Sequence, residues 1–191
     1  MLKLILNKKY NPLFSSDARY FIITGGRGSG KSFAVTVFLT LLTMTKGIRI
    51  LFTRYTMTSA HLSIIPEFLE KIGLLGFDDV FSINKSEVLN TSNQSDILFR
   101  GIRTSAGNQT ASLKSLQGIS TWVLDEAEEL VDENIFDTID LSIREKTIHN
   151  RVVLILNPVT KEHWIYKRFF EDKGVEGGFN GFKDNVCYIH T

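Results

Sequence analysis

The chain of 191 residues has one cysteine, three prolines and almost no charge excess, with 22 Lys and Arg against 21 Asp and Glu. A lone cysteine, Cys187, excludes an intrachain disulfide framework. The four histidines, His61, His149, His163 and His190, are scattered without zinc-ligand spacing, which argues against a structural zinc site. Balanced charge provides no global basic field, so any contact with nucleic acid must come from local clusters. No apolar run approaches the roughly 20 residues of a membrane span, and "MLKLILNKKYNPLF" lacks the order of a signal peptide. The expectation is a soluble cytoplasmic protein without a membrane partner. No repeat, low-complexity tract or proline-rich linker divides the chain. Its 43% hydrophobic content can bury one sizeable core, and residues 1–191 are expected to form a single α/β domain.

What is present is alternation. Tyr20 to Thr24, Ile48 to Thr53, Thr121 to Leu124 and Arg151 to Leu156 are nearly continuous apolar runs, as buried parallel strands are. Lys31 to Thr45, Ser59 to Ile72 and Asn134 to Ile143 carry helical spacing. Strand-helix alternation implies a parallel sheet covered on both faces. Between Phe81 and Arg100 the short pieces "FSI", "EVLN" and "DILF" break the pattern, and an antiparallel excursion or insertion is expected there.

The first chemical motif is "GGRGSGKS", residues 25 to 32, between a strand and a helix. Gly25, four residues, then Gly30-Lys31-Ser32 fits the P-loop pattern in the context that pattern requires. Glycines let backbone N–H groups turn towards a phosphate without a Cβ in the way, and the following helix N-terminus favours negative charge. The phosphate-binding residues are therefore Gly25, Gly26, Arg27, Gly28, Ser29, Gly30, Lys31 and Ser32. Lys31 would bridge the β- and γ-phosphates of ATP, and Ser32 would ligate Mg2+. The alternative, a plain glycine turn, gives no reason for Lys-Ser at this offset.

The second motif is "TWVLDEAEEL", residues 121 to 130, an apolar strand that delivers Asp125 and Glu126 to the sheet edge where ligands of open α/β sheets bind. Asp125 can hold magnesium through water, and Glu126 can orient or deprotonate the attacking water. The bland reading makes Asp125 a helix cap and Glu126, Glu128 and Glu129 a solvated face. A guanine switch is excluded, because "NKSE" at residues 84 to 87 has Glu for Asp and precedes the acidic strand. A small-molecule kinase does not need the water-activating Glu126, so hydrolysis fits better than transfer.

These blocks, with "FRG" before "LKSLQGISTWVLDEAEEL" and Asn157-Pro158 before His163-Trp164-Ile165-Tyr166, resemble the ATPase domain of the large terminase subunit, the DNA-packaging motor of tailed bacteriophages. The resemblance runs from about residue 18 to the end. It implies an α/β P-loop NTPase of the additional-strand, catalytic-glutamate type, with a mainly parallel sheet covered by helices on both faces. It implies an ATPase that moves double-stranded DNA as a homo-oligomeric ring at the prohead portal, with the terminase small subunit as partner, in the host cytoplasm. By the same resemblance Arg27 senses or stabilises the γ-phosphate, and Asn157 couples hydrolysis to motion; the alternative for Asn157 is an Asn-Pro turn after a strand. A helicase-like ATPase and a slow nucleotide-binding regulatory module stay open.

Ring motors borrow a further cation from the neighbouring subunit, and Arg103, Arg144 and Arg100 are the candidates, with Lys114 a poorer one. DNA contact is expected from the clusters Arg100, Arg103 and Lys114, and Lys161, Lys167 and Arg168. Phe14, Arg19 and Tyr20, just before the loop, are candidates for the adenine, whereas Trp164 and Tyr166 read as core. Asp78-Asp79 reads as a solvated loop, and no nuclease activity or nuclease domain is expected from these residues.

Overall fold

The computed structural model describes residues 4–57, 60–104 and 107–191. Its strands are β1 (Tyr20–Thr24), β2 (Arg49–Thr56), β3 (Phe81–Asn84), β4 (Glu87–Asn90), β5 (Asp96–Thr104), β6 (Gly107–Asn108), β7 (Thr121–Asp125), β8 (Arg151–Leu156), β9 (Gly181–Lys183) and β10 (Val186–His190). Its helices are α1 (Asn11–Ser15), α2 (Lys31–Leu42), α3 (Ala60–Leu75), α4 (Thr110–Lys114), α5 (Glu133–Asp140) and α6 (Trp164–Tyr166). The strands form one sheet in the order β3-β4-β5-β2-β7-β8-β1-β10-β9, and β6 pairs with β5. From β5 to β10 the pairing is parallel, with antiparallel additions at both ends. β8 lies between β1 and β7, which is the additional-strand arrangement expected.

Alternation along each strand sorts the core into two layers. Phe21 and Ile23 of β1, Ile50 and Phe52 of β2, and Val123 of β7 face α2 and α3. Ile22, Leu51, Trp122, Leu124 and Leu154 face α5 and the helical turns after residue 163. Because both faces are covered, the central strands can be apolar at every position, and each fully buried large side chain stabilises the fold by about 1.5–3 kcal/mol.

Several boundaries differ from the expectation. α2 stops at Leu42 because the chain beyond it is tied to the turn before β5: Asn90 and Asn93 donate to Thr43 O, and the Ser95 hydroxyl donates to Thr45 O. α3 runs on to Leu75 and closes at Gly76, whose φ of 72° suits a left-handed helix terminus. Ser59, the expected start, lies outside the described residues. α5 ends at Asp140 rather than Ile143, because a turn follows in which Ile143 N donates to Asp140 O. The excursion after Phe81 is antiparallel as expected: β3 pairs with β4 and β4 with β5, which carries "DILF" and on its other side joins the sheet parallel to β2. β10 goes beyond the strands expected from the sequence; it covers the outer side of β1 and buries Cys187 completely.

Candidate functional site

β1 delivers the glycine loop to the carboxyl edge of the sheet, and α2 begins at Lys31. Gly28 and Gly30 have φ of 75° and 85°, and nothing lies within 4 Å of where their Cβ atoms would be, so the loop is a concave backbone surface open to a ligand. Gly25 is crowded instead: a Cβ there would lie 2.3 Å from Thr191 O. The back of the loop is braced by the Thr191 hydroxyl, which donates to Ser29 Oγ, and by the Tyr10 hydroxyl, which donates to Ser29 O. Lys31 folds over its own loop, with Nζ donating to Gly25 O at 2.6 Å and Gly26 O at 2.9 Å. Burial pulls its ammonium below the usual lysine value, against the opposing charges of Glu128 and Asp125.

β7 is buried throughout and ends on Asp125, which is 4% exposed. Arg54 donates to Asp125 Oδ2 from Nε at 2.8 Å and pairs with it through Nη2 at 2.7 Å. Glu126 follows in the left-handed region, at φ 53° and ψ 46°, a conformation that costs a non-glycine residue about 1–3 kcal/mol. This kink turns its half-buried side chain out of the strand. Burial raises the Glu126 carboxyl above the ordinary glutamate value; Arg54 opposes this, and Asp125, Glu129 and Glu128 add to it. Glu128 accepts from Asn157 Nδ2 at 2.6 Å and from Asn157 N at 3.3 Å, while His163 Nε2 lies 3.1 Å from Glu128 O. The end of β8 is therefore tied to the turn after β7. Both walls line one open cavity of about 510 Å³, with Arg27, Ser32 and Phe33 at its rim.

The model of the phage terminase large subunit family matches residues 17–191. The chain belongs to this family. Among its relatives, the terminase large subunit of Bacillus phage SPP1 is 24% identical over 194 residues, covering 88% of this chain and 43% of that protein. The large terminase of a thermophilic bacteriophage, solved in complex with ADP, superposes with a TM-score of 0.70 at 12% identity, covering 96% of this chain and 44% of that one. The large terminase ATPase domain of Thermus phage P74-26 superposes with a TM-score of 0.71 at 18% identity, covering 97% and 80%. The fold is thus that of a P-loop NTPase, and the chain spans less than half of the SPP1 terminase and of the ADP-bound one.

Of the residues singled out from the sequence, Arg27, Gly28, Ser29, Gly30, Lys31, Ser32, Asp125, Glu126 and Asn157 all line this terminase cavity. No cluster of three or more His, Cys, Asp or Glu suited to a metal occurs among the described residues. A single carboxylate and a hydroxyl, Asp125 and Ser32, fit magnesium, which keeps most of its waters and takes substrate phosphate oxygens.

The adenine candidates are not at the site. Arg19 pairs with Asp140 and donates to Ile143 O, and the Tyr20 hydroxyl donates to Asp140 Oδ2, all at the opposite edge of the sheet. Phe14 packs edge-on against Phe38 in a depression beside Arg151, at that same edge. Trp164 is core, donating from Nε1 to Leu130 O beneath Phe136, and Tyr166 stacks on Phe170. Arg103 is exposed near the carboxyl end of β5, paired in register with Thr56; Arg100 lies lower on that strand and donates to Ser86 O. Arg144 is exposed between α5 and β8, at the far edge. Arg168, one of the cations expected to meet DNA, is engaged by Glu133 and Asp137 and lies over Phe136. "NKSE" is the hairpin turn between β3 and β4, and Asp78-Asp79 is exposed.

Two residues at the site escaped the sequence reading. Glu128 looks like part of a solvated face, and Arg54 looks like any arginine near a strand end. The only signal for Arg54 is its place at the carboxyl end of an apolar run, the edge at which Asp125 also emerges.

Proposed function

We propose that this chain is the magnesium-dependent ATP-hydrolysing motor domain of a terminase large subunit, driving double-stranded DNA into a prohead. The observation that carries the reading is that the glycine loop and the Asp125–Glu126 pair face each other across one cavity. The ADP bound to the thermophilic-phage relative and the ATPase domain of the P74-26 relative support it.

In this reading the loop amides and Lys31 hold the β- and γ-phosphates, with Lys31 leaving the carbonyls of Gly25 and Gly26 to do so. Ser32 and Asp125 hold magnesium, which when bound neutralises phosphate charge. Glu126 accepts a proton from water as the water oxygen bonds to the γ-phosphorus and the bond to the ADP oxygen breaks, giving ADP and phosphate. Arg27 stabilises charge on the γ-phosphoryl oxygens, and Asn157 reads the γ-phosphate once it leaves Glu128. A homo-oligomeric ring at the portal supplies the second arginine, and the terminase small subunit recruits the DNA.

The test is steady-state ATPase activity with duplex DNA, with single strands and with none. Stimulation by duplex supports the packaging motor. Stimulation by single strands alone points to a helicase-like enzyme, and nucleotide binding without turnover points to a regulatory module.

A further inference from the structure

Arg54 has a fixed backbone and a specific target. The preceding Thr53 is fully buried; its hydroxyl donates to Val123 O and accepts from Trp122 Nε1, which pins β2 to β7 just below the site. β2 then continues to Thr56 while β7 stops at Asp125, so the Arg54 side chain reaches the end of the acidic strand from a rigid ledge. Both of its donating nitrogens converge on the same oxygen, Asp125 Oδ2, and Nε also lies 3.7 Å from Glu126 Oε2. Glu126 and Glu128 line the same cavity, while Lys31 is turned onto its loop carbonyls.

We infer that Arg54 is a positioning residue that serves as the resident counter-ion of Asp125: it neutralises this carboxylate before nucleotide binds and competes with a divalent cation for it. The inference rests on reading the cavity as a nucleotide site. The physical basis is local charge. Four carboxylates, Asp125, Glu126, Glu128 and Glu129, line the cavity and repel an incoming polyphosphate, and one guanidinium held within hydrogen-bond distance of the most buried of them offsets part of that repulsion. A divalent cation arriving with the nucleotide supplies the same neutralisation, so the two cations are alternatives at Asp125. Removing Arg54 should therefore weaken nucleotide binding mainly when magnesium is absent. A merely structural ion pair would weaken binding equally with and without the metal.

The experiment measures the dissociation constant of a fluorescent ADP analogue with excess magnesium and with EDTA, for the wild-type chain, Arg54→Gln and Arg54→Met. The two variants guard against one failing to fold, and thermal melting confirms that the protein measured is folded. The EDTA-to-magnesium ratio of dissociation constants should rise about tenfold in both variants, the effect of losing one charged hydrogen-bonded partner. With EDTA throughout, the loss caused by Arg54→Gln should shrink in an Asp125→Asn background, because there is no carboxylate left to neutralise. An unchanged ratio in a folded variant overturns the inference while leaving the nucleotide site intact. A wild-type chain that binds no nucleotide under either condition overturns the proposed function, and this inference with it.

Discussion

Asn157 donates its side-chain amide to Glu128 across 2.6 Å, so the residue at the end of β8 and the turn after the acidic strand are one hydrogen-bonded unit. If Asn157 reads the γ-phosphate, it must break this bond first. Glu128→Ala should then raise affinity for a non-hydrolysable ATP analogue by up to about tenfold more than it raises affinity for ADP, since loss of the carboxylate charge helps both nucleotides but release of the hydrogen bond helps only the one with a γ-phosphate. Asn157→Ala should reduce the preference for ATP over ADP, with Lys31 and Arg27 keeping the remainder. Equal shifts for both nucleotides in Glu128→Ala would remove Asn157 from γ-phosphate recognition.

Lys31→Ala and Glu126→Gln should fail in different ways. The first loses nucleotide binding. The second keeps it near normal and loses turnover by at least the roughly hundredfold expected for a missing general base. Near-wild-type ATPase in Glu126→Gln would return the glutamate to a plain role in the turn.

Arg19→Ala should lower stability by about 1.5–3 kcal/mol, the range for a hydrogen bond to a charged group, because Asp140 loses its cation. Nucleotide affinity should not change, since the pair sits at the far edge of the sheet. Chemical denaturation and nucleotide titration of one preparation check both statements.

Cys187 is completely buried, and burial pushes its thiol up from 9.0 to about 12. The unfolded chain gives up this proton above pH 9 while the folded chain retains it, so stability should fall as pH rises from about 9 towards 12. Tyr188, pushed from 10.0 to about 12, adds to the same trend. Cys187→Ala should flatten the decline, as read from denaturation midpoints across the alkaline range. The native thiol should also resist alkylation near neutral pH and react once the chain unfolds.

Arg103 is the best placed of the three arginines proposed to act in trans, because it lies near the edge of the sheet that carries the site. Mixing the inactive Glu126→Gln and Arg103→Ala chains should restore part of the ATPase, since some interfaces then pair an intact Glu126 with an intact Arg103. No rescue, with specific activity independent of concentration, would mean that the site is complete within one chain.

The glycine loop and the acid pair are legible in the sequence because each signal is local: the residue type, its offset and the adjoining strand or helix all lie within a dozen positions. The pairing of Arg54 with Asp125 is not legible, because it depends on the register of β2 against β7 across 71 positions of chain. Arg19 and Tyr20 mislead for the converse reason. They are close to the loop in sequence, but an extended strand rises about 3.3 Å per residue, which puts Tyr20 about 16 Å from Gly25 at the other end of β1. β10 is missed because a five-residue run containing Cys, Tyr and His gains its strand character from lying against β1, not from its own composition.

β1 is hydrogen-bonded along its whole length on both sides, to β8 and to β10. A slip of one residue would break both ladders together and turn Phe21 and Ile23 from one core layer into the other. The strand beneath the phosphate loop therefore behaves as an anvil: a force applied at the loop cannot be absorbed by sliding the sheet. The load would instead pass to the segments that meet the loop across the cavity, the turn at residues 126–130 and the stretch from Asn157 to His163 hydrogen-bonded to it.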